Sequence, residues 1–185
     1  MAYLVLAEVK QHLGIATANT EDDALLSGYI GAAQSAIDGY CGRSFEATTA
    51  TRRYGVASIK VADGRTYLRL DADLLSVTAL TNGDGSAISP LHCLLLQPNM
   101  PPYWGIRLKD GLAWTFPGLD AEVVVSGTWG YSMTPPALIV EAAREYVHFL
   151  YHSPDQRRNV KAGAPRADML PSHVAQLISS FVRRF

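Results

Sequence analysis

The sequence predicts an α+β protein: a small bundle of two N-terminal and two C-terminal helices, with an antiparallel β subdomain inserted between them. Three observations carry this expectation. Apolar residues recur at helical spacing before residue 42 and again after residue 136. The stretch between them alternates with a period of two, and Gly, Pro, Asn and Asp clusters punctuate it. The expected boundaries are 1–44 with 132–185 for the helical core and 45–131 for the inserted subdomain. A chain of 185 residues, 48% hydrophobic and 18% charged, can bury a core.

Leu6, Val9 and Leu13 share one face of a first helix, and Gly14 supplies its stop. A second helix follows, with Thr20 as its cap and Glu21, Asp22 and Asp23 in the first turn, where the helix dipole favours negative charge. Leu26, Tyr29, Ile30, Ala33, Ile37, Tyr40 and Cys41 form its apolar stripe, ending at Gly42. Gly28, Gly31 and Gly39 each cost about 1 kcal/mol relative to Ala inside a helix, which suits close helix packing.

From Phe45 the period changes. Strands are expected at Tyr67–Leu70, Leu75–Leu80, Leu91–Leu96, Gly105–Lys109, Leu112–Phe116 and Glu122–Thr128, making a sheet or small sandwich of about five to seven strands. Asn82-Gly83-Asp84-Gly85 and Asp110-Gly111 are turn signals, and Pro101-Pro102-Tyr103-Trp104 reads as an aromatic loop that caps the core, with an exposed contact surface as the alternative. Helix returns at Thr134-Pro135-Pro136, with Thr134 as its cap, proline in the first turn, and Ile139, Ala143, Tyr146, Val147 and Leu150 on the buried face. After a loop over Ser153–Leu170, Pro171 opens a final helix of about 15 residues, marginal alone.

The net charge of −1 argues against a dedicated duplex-DNA binder. The distribution is uneven. Residues 1–42 carry five acids against Lys10, leaving −4, whereas 137–185 carry seven basic and four acidic residues, leaving +3. Such ends suit head-to-tail contacts between neighbouring subunits. Cys41 and Cys93 lack a CxxC spacing and read as free thiols of a reducing cytoplasm. Residues 1–14 lack the basic start of a secretory signal, and no apolar run approaches the roughly 20 residues needed to cross a bilayer.

No nucleotide-binding, zinc-protease or nucleophile-elbow motif is present. His148 and His152, four apart with Glu145 one turn earlier, have zinc-ligand spacing but no third strong ligand, so packing and capping is the favoured reading. The Asn82–Gly85 turn lacks the later acids of a calcium loop. Cys41 and Cys93 lie among apolar residues, and no carboxylate pair stands out. No catalytic residue, cofactor site or metal site is assigned, and the expectation is a protein that is not an enzyme.

Several stretches together resemble one family. Asp22-Asp23-Ala24-Leu25-Leu26, Ala32-Ala33 and Ile37-Asp38-Gly39-Tyr40-Cys41-Gly42-Arg43-Ser44-Phe45 resemble the N-terminal helix of phage head–tail connectors (adaptors), the gp6-like or gp8-like group. Leu75-Ser76-Val77 with the Asn-Gly-Asp-Gly hairpin resembles the start of the β insertion of its longer members. Val123 to Tyr131, Thr134-Pro135-Pro136 and the Ala142–Tyr151 helix resemble the return to the helical core, and Leu170-Pro171 with Leu177, Phe181 and Arg183-Arg184 the closing helix. The resemblance runs over nearly the whole chain, which departs from the minimal, nearly all-helical members by its β block.

The resemblance implies a virion protein of the neck, made in the host cytoplasm. It would form a dodecameric homo-oligomer ring under the portal protein and join it to a tail-side stopper or terminator. DNA would pass through the lumen without specific binding, and no membrane is involved. The alternative is another tail-assembly or binding module with a β domain. The expected portal or subunit docking arm is Ser153–Phe185. Its basic residues are Arg157, Arg158, Lys161, Arg166, Arg183 and Arg184, and its apolar stripe is Val174, Leu177, Ile178, Phe181 and Phe185. The competing expectation is that this helix closes the subunit's own core.

Overall fold

The computed structural model describes residues 3–153 and 170–183. Arg157, Arg158, Lys161, Arg166, Arg184 and Phe185 therefore lie outside the described residues. The fold is α+β, with N- and C-terminal helices flanking an inserted antiparallel sheet. The chain divides into two compact units, Met1–Glu46 with Thr134–Phe185, and Ala47–Met133.

In the helical unit, α1 (Leu6–His12), α2 (Asp23–Cys41), α3 (Ala137–His152) and the short α4 (Ser172–Ile178) pack together. Leu26, Tyr29, Ala33, Ala36 and Ile37 of α2 are buried, as are Ile139, Ala142, Ala143, Tyr146, Val147 and Leu150 of α3. Gly42 caps α2 with φ +61, a conformation glycine adopts without a Cβ penalty.

Two expected caps are corrected. α2 begins at Asp23 rather than beside Thr20: Glu21 N–H donates to Asn19 Oδ1, and this turn holds residues 19–22 out of the helix. α3 begins after Pro136, whose extended ψ of 148° makes it the flanking residue, so Thr134 sits too early to cap. The packing role expected of the α2 glycines is also corrected. Gly28, Gly31 and Gly39 lie on the exposed face, and a Cβ at Gly28 or Gly31 would meet nothing within 4 Å.

Lys10 is the buried cation of this unit, 2% exposed. Its Nζ donates to Thr17 O at 2.9 Å, to Asn19 O and to Asp23 Oδ1 at 2.7 Å, so one ammonium holds the α1–α2 connection against the start of α2.

The β unit is one seven-stranded antiparallel sheet of order β1-β7-β3-β6-β5, with β2 and β4 also paired to β3. The strands are β1 (Thr48–Gly55), β2 (Ile59–Ala62), β3 (Arg65–Thr81), β4 (Ala87–Ile88), β5 (Cys93–Leu95), β6 (Tyr103–Leu108) and β7 (Glu122–Trp129). Leu68, Leu70, Leu74, Leu80, Ile106, Val123, Val125 and Trp129 form its core.

The two strands expected at Tyr67–Leu70 and Leu75–Leu80 are one strand, β3. Tertiary hydrogen bonds run along the polar stretch between them. Asp71 accepts from Tyr54 Oη at 2.6 Å and Arg52 Nη1 at 2.9 Å, and Asp73 O accepts from Gly130 N–H. Register shifts against β6 between Arg69 and Leu74 mark the bend.

Asp63 and Gly64, both at positive φ, join β2 to β3 in a two-residue turn, an Asp-Gly signal that the sequence carried and our reading passed over. The strand expected at Leu112–Phe116 is irregular instead. Asn82 explains it: its side chain donates to Ala113 O and Thr115 Oγ1 and accepts from Thr115 N–H, replacing a strand ladder for this segment. Pro90–His92 is a 3-10 turn before β5, and Tyr103-Trp104 opens β6 rather than forming a loop.

Candidate interaction surfaces

The closing segment begins at Pro171, whose backbone flanks α4, and continues as a 3-10 turn over Ser179–Phe181. The regular helix is seven residues, about half the expected length. Val174 and Ile178 are fully buried in the helical unit, and Leu177 and Phe181 are half-buried. Arg183 N–H donates to Cys41 O at 2.9 Å, and the Phe181 ring meets Phe45 edge-on at 5.7 Å. The part of the apolar stripe that is described is therefore spent largely on α2 and α3 of the same chain. His173, Gln176 and Ser180 form its outward face.

Phe45 also packs edge-on against Tyr3, and Tyr3 Oη accepts from Phe45 N–H at 2.9 Å while donating to Asp38 Oδ1. Burial pushes the Asp38 carboxyl up to about 6, against the opposing effect of the Tyr3 hydrogen bond. A carboxyl raised in the folded state favours folding fully only below its ordinary value of 3.8, and that contribution is lost as pH rises through about 6. Asp38→Asn, whose amide oxygen can still accept from Tyr3, should be more stable than wild type near pH 7 by about 1 kcal/mol and should match it near pH 4. Thermal melting at the two pH values checks this.

Of the candidate metal ligands, His148 and His152 approach to 4.4 Å between ring centroids, and α1 brings His12 to 5.8 Å from His148. His12 Nε2 lies 3.8 Å from Glu145 Oε1. His12 was not visible as a neighbour, because only tertiary packing of α1 on α3 places it there. Among the described residues no group of three or more His, Cys, Asp or Glu side chains is arranged to hold a metal ion, and no helix is long and apolar enough to cross a membrane. Both cysteines are free; burial pushes each thiol up to about 11, Cys41 further aided by the Asp38 charge.

The β unit carries a surface that the sequence reading missed. Asp63, Arg65, Tyr67, Leu96, Trp104 and Arg107 line an open hollow of about 490 Å³. Tyr67 and Trp104 meet edge to face at 5.5 Å. Arg65 and Tyr67 alternate onto one face of β3, and Arg107 lies opposite Leu94 in the β5–β6 ladder.

Comparison with known proteins places this framework. Residues 3–71, covering α1, α2, β1, β2 and the start of β3, match the family described as "Phage gp6-like head-tail connector protein". Over those residues, fewer than half of the chain, the sequence is similar to gp6-like connectors. No curated protein matches the chain. Beyond residue 71 the likeness of this chain to known proteins is one of fold. It superposes with a TM-score of 0.66 on a chain of the "Neck of empty GTA particle computed with C6 symmetry", at 20% identity, covering 99% of this chain and 92% of that one. A chain of the "Virion of native gene transfer agent (GTA) particle" gives 0.64 at 22% identity over 99% and 92%. A chain of the "Neck of native GTA particle computed with C12 symmetry" gives 0.57 at 21% over 97% and 90%. The fold likeness covers 99% of this chain and so takes in the β unit.

Proposed function

We propose that this chain is a structural subunit of the neck of a tailed phage or phage-like particle, made in the host cytoplasm. It assembles as a ring under the portal protein, meets a tail-side stopper or terminator on its other face, and leaves a lumen through which DNA passes without specific binding. The observation that carries the reading is the conjunction of a gp6-like match over residues 3–71 with the fold of gene transfer agent neck chains over 99% of the chain. A near-neutral chain suits a conduit that must not retain DNA, and acidic residues 1–42 with basic residues 137–185 suit heterologous contacts.

Docking to the portal or the adjacent subunit is assigned to the basic residues of Ser153–Phe185, since Val174 and Ile178 are occupied within the subunit. Replacing Arg157, Arg158, Lys161 and Arg166 together by Glu should leave the melting temperature within a few degrees and abolish recovery with portal-bearing heads in a pull-down. Recovery at the wild-type level would remove the arm from the docking surface.

A further inference from the structure

The hollow of the β unit and a projecting turn of the same unit are complementary. The turn is Gly118–Ala121, closed by Ala121 N–H donating to Gly118 O at 3.2 Å. Leu119 and Asp120 occupy its tip. Leu119 is 90% exposed, the most exposed large apolar side chain among the described residues, and Asp120 beside it is exposed too. The base of this turn is fixed, because Asn82 holds Ala113 and Thr115 while Trp114 and Phe116 pack on the sheet core. An apolar side chain with an adjacent carboxylate is thus presented on an anchored support.

The hollow offers the converse chemistry. Its walls are Tyr67, Trp104 and Leu96, and its cations are Arg65 and Arg107. Tyr, Trp and Arg are the residue types that dominate the centres of protein interfaces. Arg107 is half-buried on the sheet, where a guanidinium gains most from a carboxylate brought by a partner.

We propose that the Leu119–Asp120 tip of one copy of this chain seats in the Arg65–Trp104–Arg107 hollow of the next, forming one contact of a head-to-tail ring. Tip and hollow are different surfaces of one unit, so each copy gives one and receives one. That is a heterologous arrangement, the kind of contact from which cyclic rings are built when the rotation between copies closes. A nucleic-acid backbone fits the hollow less well than a single carboxylate, because Arg65 and Arg107 outnumber the lining Asp63 by one charge only and the chain as a whole is near neutral. The proposal rests on the ring reading above and adds which surfaces of the β unit meet.

The test is sedimentation velocity of the purified full chain over a concentration series at low salt. Asp120→Arg and Arg107→Asp should each weaken self-association by about tenfold or more, with melting little changed because Asp120 is exposed and Arg107 is only half-buried. Mixing the two variants should restore association, since each supplies the surface that its neighbour needs; a purely structural effect would not be restored. Wild-type protein that stays monomeric throughout, variants that associate as wild type does, or a mixture that fails to recover would overturn the contact. Binding of a short DNA duplex that is lost in Arg107→Asp would overturn it in favour of nucleic acid. Wild-type chain that associates but fails to attach to portal-bearing heads would instead sink the connector reading, so the two failures are distinguishable.

Discussion

Gly127→Ala should destabilise the β unit by about 3 kcal/mol or more, the largest loss expected from a single added methyl in this chain. Gly127 sits inward on β7, opposite Val77 of β3 and Ala50 of β1. A Cβ there would lie 2.1 Å from Ser76 O and 3.2 Å from Leu74 Cδ1. The first of these is backbone, so no side-chain rotation relieves it. Register shifts on either side, between Leu74 and Ser76 and between Val77 and Ala79, are how β3 accommodates so close an approach. Urea unfolding followed by Trp fluorescence should show the midpoint fall sharply in Gly127→Ala. Gly111→Ala is the control, at a position where a Cβ meets nothing and the positive φ of 87° alone sets a cost of about 1 kcal/mol.

Lys10→Met should cost the helical unit about 3 kcal/mol. Methionine fills nearly the same volume, so the loss isolates the ammonium rather than packing. Without it, Thr17 O, Asn19 O and the Asp23 carboxylate lose their common donor at a site where Lys10 is 3% exposed at the side chain. Removing one partner of a buried charge pair is more damaging than removing both, because the remaining charge keeps its desolvation cost. Lys10→Met with Asp23→Asn should therefore recover part of the loss. Melting curves of the two single variants and the double variant give the coupling directly.

The helices and the β insertion were legible because their periods are strong and caps such as Gly42 lie at their ends. The errors have physical causes. Asp71-Ala72-Asp73 reads as a break between strands. Tertiary partners, Arg52 and Tyr54 for Asp71 and Gly130 for Asp73, carry β3 through it. The Leu112–Phe116 segment has the alternation of a strand, but Asn82 satisfies its backbone from the side. Glycines within α2 suggested close packing, yet they face outward, since spacing tells which residues share a face and not what that face meets.

The closing segment shows the same limit. An apolar stripe at Val174, Leu177, Ile178 and Phe181 has one pattern whether it docks on a partner or on its own chain, and only packing shows Val174 and Ile178 buried on α2 and α3. Of the Arg65–Trp104–Arg107 hollow only Trp104 was legible as a contact candidate, because the other residues come from β3, β6 and Leu96, brought together by sheet register.

The central claim is that the chain is a ring-forming neck subunit, and electron microscopy of portal-bearing, tail-less heads mixed with the purified chain tests it most directly. The account predicts ring-shaped density added at the portal vertex alone, with cyclic symmetry and an open lumen. Heads left unchanged, or chain bound elsewhere on the shell, would contradict it.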